Sequence, residues 1–491
     1  MLRVFDFEKI PVVEVVNEIL VDASKRGASD IHFDPHEKFL KVRIRIDGEL
    51  QDYSEIPNTV KKNLITRIKI ISGMNITESR LPQDGAIKAN LKDTALDLRV
   101  SCLPTSQGEK IVIRILDYSM SLAGIEQLGF SQGNYKKVLN MINVPNGIIL
   151  VTGATGSGKS TTVYSILQRL NKPNTNIITV EDPIEMDIDG INQVQVNSEI
   201  GLDFAAVLRS ILRQDPNIIM IGEMRDTETA KIGVRASITG HLVLSTIHTN
   251  NSLNTIERLL DMGVERYLLA SALTGIISQK LARMLCPKCR RLRPTTVYEK
   301  ELMQKVLHKD VEQVYEPVGC SECNGGYRGR IALQEVLEIN QEIRDAIADS
   351  IPKDELRTLV YGGSVVTLLQ DGLEKVEQGY TTFEEVLKLI ELDDEQAIGE
   401  KYDLDSAIND AKLGQKTGKR IATDSVIGPV KPIESNNIVG EPAPKVTPKM
   451  ESLDDTPKME TLDAAPKLET LETLDPLPSA SKPKEEVLDV L

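Results

Sequence analysis

The spacing of apolar positions changes several times along this chain, and each change marks an element. Between Pro11 and Lys25, Val12, Val15, Val16, Ile19 and Leu20 recur at helical spacing and predict an amphipathic helix. Lys41-Val42-Arg43-Ile44-Arg45-Ile46 alternates with period two and closes on Asp47-Gly48, the pattern of a strand entering a turn. Leu96–Val100 and Lys110–Leu116 read as further strands, so residues 1–120 are expected to form a mixed α/β domain. Residues 121–133, with Gly124, Gly129 and Gly133, read as a linker. Over residues 134–255 the pattern becomes short, wholly apolar runs at Ile148–Thr152, Ile177–Val180, Ile218–Ile221 and Leu242–Ile247, separated by helix-compatible stretches. Runs of that kind alternating with helices predict a mostly parallel sheet. Residues 256–400 read as helical around a cysteine-bearing segment at about 285–325.

Past residue 400 the pattern dissolves. No aromatic follows Tyr402, and Pro448-Lys449-Met450-Glu451-Ser452-Leu453-Asp454 nearly recurs at Pro457-Lys458-Met459-Glu460-Thr461-Leu462-Asp463 and again from Pro466. A nine-residue, proline-bearing polar period is too short for a packed repeat, so 401–491 is expected to be a disordered tail. The alternative is a multivalent docking segment anchored by Met450, Leu453, Met459 and Leu462, for a partner the sequence does not identify.

Composition narrows the class. A chain of 491 residues holds two or three domains, and a formal charge of −15 argues against broad contact with nucleic acid. No apolar run approaches the length of a membrane span, and Met1–Lys9 has no signal-peptide core, so membrane contact is expected to be peripheral. Five cysteines, four of them in two Cys-x-x-Cys pairs, fit a reducing, cytoplasmic compartment.

Gly153-Ala154-Thr155-Gly156-Ser157-Gly158-Lys159-Ser160-Thr161 carries the chemistry. It lies between the apolar run Gly147–Val151 and a helix-compatible stretch from Thr161 to Leu170, the context a phosphate-binding loop requires. Its glycines let backbone N–H groups close around a polyphosphate at a helix N-terminus. Lys159 is expected at the β- and γ-phosphates and the Ser160 hydroxyl on Mg²⁺. Ile218–Ile221 ends at Gly222-Glu223, an acid suited to hold the Mg²⁺ water shell or polarise an attacking water. Thr179-Val180-Glu181-Asp182-Pro183-Ile184-Glu185 sets further carboxylates at a strand end, with Glu181 and Glu185 as candidate bases. Two of the five histidines bracket Leu242–Ile247, and His248 is placed to sense a γ-phosphate or to hydrogen-bond a catalytic acid.

Segments 153–162, 179–185, 213–230 and 239–250 resemble, in order, the Walker A, Asp box, Walker B and His box of secretion ATPases, in particular the type II secretion and type IV pilus assembly branch. The N-terminal region agrees through Arg26-Gly27-Ala28-Ser29-Asp30-Ile31-His32, Arg43–Gly48, Arg80-Leu81-Pro82-Gln83-Asp84-Gly85, Arg99–Thr105 and Gly108–Leu116. The similarity spans roughly residues 8 to 395. It implies an α/β fold: a small mixed α/β N-terminal domain, a RecA-like P-loop core, a zinc insert within a helical C-terminal part, and a disordered tail. It also implies an ATP-hydrolysing homohexamer working against an inner-membrane platform protein, with Arg80, Arg99 and Arg114 reaching bound phosphates. Many members carry a further N-terminal domain; this chain begins almost directly at the core N-terminal domain, so platform contacts are expected on other surfaces.

Cys286-Pro287-Lys288-Cys289 and Cys320-Ser321-Glu322-Cys323 form two knuckles suited to tetrahedral structural Zn²⁺, with Gly325, Gly326 and Gly329 allowing a tight return. Disulfides and a redox pair are the competing readings. In the resembled family this insert belongs to assembly and export ATPases rather than retraction ATPases. Two other functions compete: a nucleotide-gated scaffold with little hydrolysis, and a motor that translocates nucleic acid. The intact Lys159, Glu223 and acidic box weigh against the first, the acidic balance against the second.

Overall fold

The computed structural model describes residues 2–91, 94–116 and 124–390, with backbone alone for Thr94 and Ala95. The expected tail and the first residues of the expected linker lie outside that range. Near the N-terminus, helix α1 (Val12–Lys25) and α2 (Asn58–Ile71) pack on a sheet built from β1 (Ala28–Pro35), β2 (Phe39–Ile46), β3 (Glu49–Pro57), β4 (Gln83–Leu91), β5 (Thr94–Thr105) and β6 (Gly108–Ile115). All its pairings are antiparallel, in the order β3-β2-β1-β6-β5-β4. The helical stripe of α1 is the buried one: Val15, Val16, Ile19 and Leu20 close over Ile31, Phe33, Val42 and Ile44.

The second sheet holds β7 (Gly147–Thr152), β8 (Ile177–Glu181), β9 (Asn192–Gln195), β10 (Ile218–Ile221), β11 (Leu242–Ile247), β12 (Leu273–Leu285) and β15 (Tyr327–Glu338), in the order β15-β12-β7-β11-β10-β8-β9. Every pairing is parallel except β12 with β15. Its central strands are buried along their whole length because helices cover both faces, which is why they read as unbroken apolar runs. Helices α3 (Gln132–Ile142) and α4 (Lys159–Leu170) pack in the core on one face; α5 (Phe204–Ile211), α6 (Thr227–Ile238), α7 (Ser252–Asp261) and α8 (Arg266–Ala272) serve the other.

Two expectations need correction. The second half of the expected linker is packed: a 3-10 turn at Ile125–Gln127 inserts Ile125 into the core, and Ser131 caps α3 through the N–H of Asn134. The C-terminal part is also less helical than expected. It does contain α9 (Val297–Leu307), α10 (Gln341–Ala348), α11 (Lys353–Tyr361), α12 (Leu368–Glu377) and α13 (Phe383–Leu389). However, Leu273–Leu285 and Tyr327–Glu338 are long strands, and β13 (Arg291–Pro294) pairs with β14 (Gln313–Glu316) in a small ribbon. Gln279–Leu285 is rich in good helix formers, yet it continues a strand already paired with β7 up to Ser278, and its own pairing with β15 outweighs that weak local preference. Gly275 permits the close approach, since a Cβ there would fall 2.4 Å from the Met141 sulfur and 2.9 Å from the Leu337 carbonyl oxygen.

Candidate nucleotide and metal sites

The phosphate loop follows β7 directly and feeds α4, so it sits at the carboxyl end of a central parallel strand, where such sheets place ligands. Gly153, Gly156 and Gly158 all take positive φ (147°, 80° and 87°). At Gly153 the space is closed as well: a Cβ would lie 2.3 Å from the Gln279 carbonyl oxygen and 2.5 Å from Ser157 Oγ. Only glycine fits there. The Lys159 ammonium is largely buried and donates to the carbonyls of Gly153 (2.8 Å) and Ala154 (3.2 Å). Burial lowers its pKa, opposed by Glu223. Ser157 Oγ is buried with no hydrogen-bond partner. A buried cation on carbonyl oxygens, an orphaned hydroxyl and a backbone that excludes side chains are what a bound polyphosphate would use, so the donor set fits the group.

Glu223 is held by its neighbours' backbones. Gly222 N–H donates to Val180 O (2.8 Å), Met224 N–H to Thr246 O (2.9 Å), and Thr246 Oγ1 to Gly222 O (2.7 Å). This wedges the segment between the ends of β8 and β11. The Glu223 carboxylate is 13% exposed; it pairs with Arg225 and lies 3.5 Å from His248 Nε2. Arg225 also reaches Asp182 Oδ2 at 3.8 Å, bridging the two acidic segments. His248 is set by Thr249, whose N–H donates to Thr152 Oγ1 (3.0 Å) while that hydroxyl donates to Thr249 O (2.8 Å). Burial, then the Lys159 charge, lowers the His248 pKa, so the ring is neutral at pH 7.

The acids of the Asp box have different surroundings. Glu181 is buried and accepts from Tyr164 OH, from Thr179 Oγ1 (2.6 Å) and from Gln193 Nε2 (3.0 Å). Burial and Glu181 together push the Tyr164 hydroxyl well above its usual pKa. Three donors on a buried carboxylate make Glu181 an organiser of this segment. Glu185 is partly exposed and pairs with Arg99 Nη1 at 3.2 Å, while Arg99 Nη2 donates to Ile184 O. Arg99, from β5, thus brings the N-terminal sheet onto the Asp box. Arg114 pairs with Asp30 (3.2 Å) and Arg80 with Glu78 (2.8 Å); neither partner belongs to the phosphate loop. Their side chains are 61% and 85% exposed.

The sequence reading missed Arg225, Tyr164 and Gln279. Arg225 and Tyr164 sit within the motif segments or beside them, whereas Gln279 had no comparable signal, because Ser278, Lys280 and Arg283 around it are polar as well.

The four cysteine sulfurs gather at the root of the β12–β15 pair, all within 4.8 Å of one another. Cys286 and Cys320 are 4.0 Å apart, Cys289 and Cys323 3.7 Å, and Cys320 and Cys323 3.6 Å. A tetrahedron with Zn–S of about 2.3 Å has edges of about 3.8 Å, so the set fits zinc closely. The Cys286 N–H donates to Gly326 O (2.8 Å), joining the two knuckles. Gly326 takes φ 95° and would place a Cβ 2.4 Å from Pro317 Cβ. Four thiolates would leave a tetrahedral ion no open position, as in structural rather than catalytic zinc sites.

A family model described as "Type II/IV secretion system protein" matches residues 6–388. The type II secretion system protein E of Aeromonas hydrophila is 45% identical over 380 residues, 77% of this chain and 75% of that protein. The type IV pilus assembly ATPase PilB of Myxococcus xanthus (strain DK1622) is 46% identical over 382 residues, 77% of this chain and 67% of that protein. Among solved structures, the pilus retraction motor PilT with bound ADP aligns at 27% identity and a TM-score of 0.54, covering 76% of this chain and 96% of that one.

Proposed function

The chain belongs to the type II/IV secretion system protein family, and on that premise we propose that it is a motor ATPase driving assembly of a type IV pilus or a type II secretion pseudopilus. The observation that carries this is the convergence of Lys159, Glu223, Arg225 and His248 at the carboxyl ends of adjacent parallel strands. Relatives that match most of the chain are named as ATPases of those machines.

Backbone N–H groups of residues 153–158 and the Lys159 ammonium bind the phosphates of ATP, and Ser160, with Thr161 beside it in the first turn of α4, would hold Mg²⁺. The ion's contribution is to neutralise charge on the transferring phosphoryl group. Glu223 orients the attacking water and takes its proton; Arg225 and Asp182 hold its carboxylate in place. His248 stays neutral and hydrogen-bonds Glu223. Glu185, a partly exposed acid of the Asp box, is coupled to the N-terminal sheet through Arg99. Cys286, Cys289, Cys320 and Cys323 would hold Zn²⁺, which would fix the insert without a part in hydrolysis.

In this reading the chain works as a homohexamer on the cytoplasmic face of the inner membrane, against the machine's platform protein. Arg80 and Arg114 project outward, which suits groups that act on a neighbouring protomer's nucleotide. No described helix is long and apolar enough to cross a membrane, consistent with peripheral attachment.

Phosphate release by the purified protein, beside Lys159→Ala and Glu223→Gln, tests the assignment. Turnover in the parent that both variants lose supports it. ATP binding without turnover, even with the platform protein's cytoplasmic domain added, would replace the motor with a nucleotide-gated scaffold.

A further inference from the structure

Strand β12 pairs with β7 only as far as Ser278 opposite Thr152. Beyond that point β7 has become the phosphate loop, while β12 runs on beside it. The next residue, Gln279, is 1% exposed and in contact with the loop along its length. Its Nε2 donates to the Ser157 carbonyl at 2.6 Å, and its Oε1 accepts from Thr162 Oγ1 at 2.8 Å. Its backbone oxygen lies against the Cα of Gly153, and its amide nitrogen beside Gly158. One side chain therefore ties the tip of the loop, the first turn of α4 and the strand edge together.

We propose that Gln279 is a positioning residue for nucleotide binding: it holds the phosphate loop in its binding geometry by fixing the Ser157 peptide. The inference rests on the nucleotide reading of the loop and deepens it. A carbonyl accepts only, so the bond to Ser157 O fixes which end of the Gln279 amide faces the loop, and Oε1 is left for the Thr162 hydroxyl. A trans peptide is planar, with N–H and C=O on opposite sides. Drawing Ser157 O towards β12 therefore aims the Gly158 N–H away from β12 and frees it to donate to a phosphate. The amide is uncharged and holds the loop without repelling an anion. Glutamate in its place would set an acceptor against the Ser157 carbonyl and a negative charge beside the phosphates. Methionine keeps the length and the apolar packing but loses both hydrogen bonds.

The test is the dissociation constant of Mg²⁺-ADP for the purified chain, for Gln279→Met, Gln279→Glu, Thr162→Val and the Gln279→Met/Thr162→Val double variant, with thermal unfolding and ATP turnover measured alongside. Losing two neutral hydrogen bonds that order the loop weakens binding about tenfold in Gln279→Met. Gln279→Glu weakens it further. Thr162→Val weakens it less, and in the double variant adds under about twofold because both changes break the same contact. The loss falls on the dissociation constant, and kcat at saturating ATP falls by less than that constant rises. A role in packing alone would lower the unfolding temperature and leave the constant in place, which overturns the proposal. So does a folded Gln279→Met protein binding within twofold of the parent. If Gln279→Met does not fold, an unchanged constant in Thr162→Val has the same force. Failure of the parent to bind Mg²⁺-ADP would overturn the nucleotide reading instead.

Discussion

The β2–β3 turn docks on the strands that carry the cysteine knuckles, and the strength of that contact sets how readily the N-terminal sheet parts from them. Asp47 Oδ2 accepts from the Gly329 N–H at 3.0 Å, and Glu49 pairs with Arg283 Nη1 at 2.6 Å. The ion pair is half open to solvent, 45% exposed at Glu49 and 18% at Arg283, and such pairs contribute about 1 kcal/mol at most. The charge-assisted bond to Gly329 adds about 1 kcal/mol once its exposure is allowed for. Together they hold the turn by about 2 kcal/mol, or roughly thirtyfold in the opening equilibrium.

The perturbation is Asp47→Gly with Glu49→Gln. Asp47 has φ 51°, so glycine removes the acceptor without strain, whereas alanine would add about 1 kcal/mol of its own. Arg283 is not stranded, because Glu385 receives it at 2.9 and 2.6 Å and the Tyr327 ring lies 4.1 Å beneath it. Hydrogen exchange at the Gly329 amide is the readout, since Asp47 is its acceptor. Protection there falls by roughly thirtyfold, while β7, β10 and β11 keep theirs. A change under twofold would refute the reasoning, as would equal loss across the core strands. A nucleotide releases a contact of about 2 kcal/mol only if it binds the released arrangement roughly thirtyfold more tightly than the docked one.

Three further outcomes follow from the same geometry. A strong chelator with a thiol-specific mercurial releases one Zn²⁺ per chain and removes exchange protection around Cys286–Tyr327; the cluster of Leu302, Met303, Leu373 and Val376 keeps α9 in place. Full retention of structure and metal would refute the zinc assignment. Because burial and Lys159 lower the His248 pKa below its usual 6.5, the midpoint of the acid limb of turnover lies below pH 6.5; His248→Gln abolishes that limb, and a midpoint above 6.5 contradicts the assignment. Arg99→Ala and Arg114→Ala reduce phosphate release at least tenfold with little change in ADP affinity, and parent-like turnover in both would end the arginine role.

What could be read from the sequence was what burial and covalent spacing determine locally. Ile218–Ile221 and Leu242–Ile247 were read to the residue because a strand covered on both faces has to be apolar throughout. Lys159 and the cysteines were legible because their partners lie within a few residues, or repeat at a fixed interval. The choice between Glu181 and Glu185 was not legible. Glu181 ends β8 and Glu185 follows four residues later, and only the positions of Tyr164 and Gln193 bury the first and leave the second partly exposed.

Strand β12 shows the remaining limit. Its sequence mixes apolar residues with Gln279, Lys280 and Arg283, so neither a helical nor a strand period stands out. The mixture arises because successive residues answer to different neighbours. Ile276 and Ile277 fill the core, Gln279 contacts the phosphate loop, Arg283 meets Glu49 and Glu385, and Cys286, just past the strand's end, joins the cysteine cluster. At about 3.3 Å per residue, Gln279 and Arg283 lie about 13 Å apart on the same face of one strand. A segment that joins the nucleotide loop, the N-terminal sheet and the zinc insert cannot keep a simple pattern, because each contact imposes its own chemistry. The irregularity that hid β12 from pattern reading therefore has the same origin as its place in the mechanism: it is the element on which the three parts of the described chain converge.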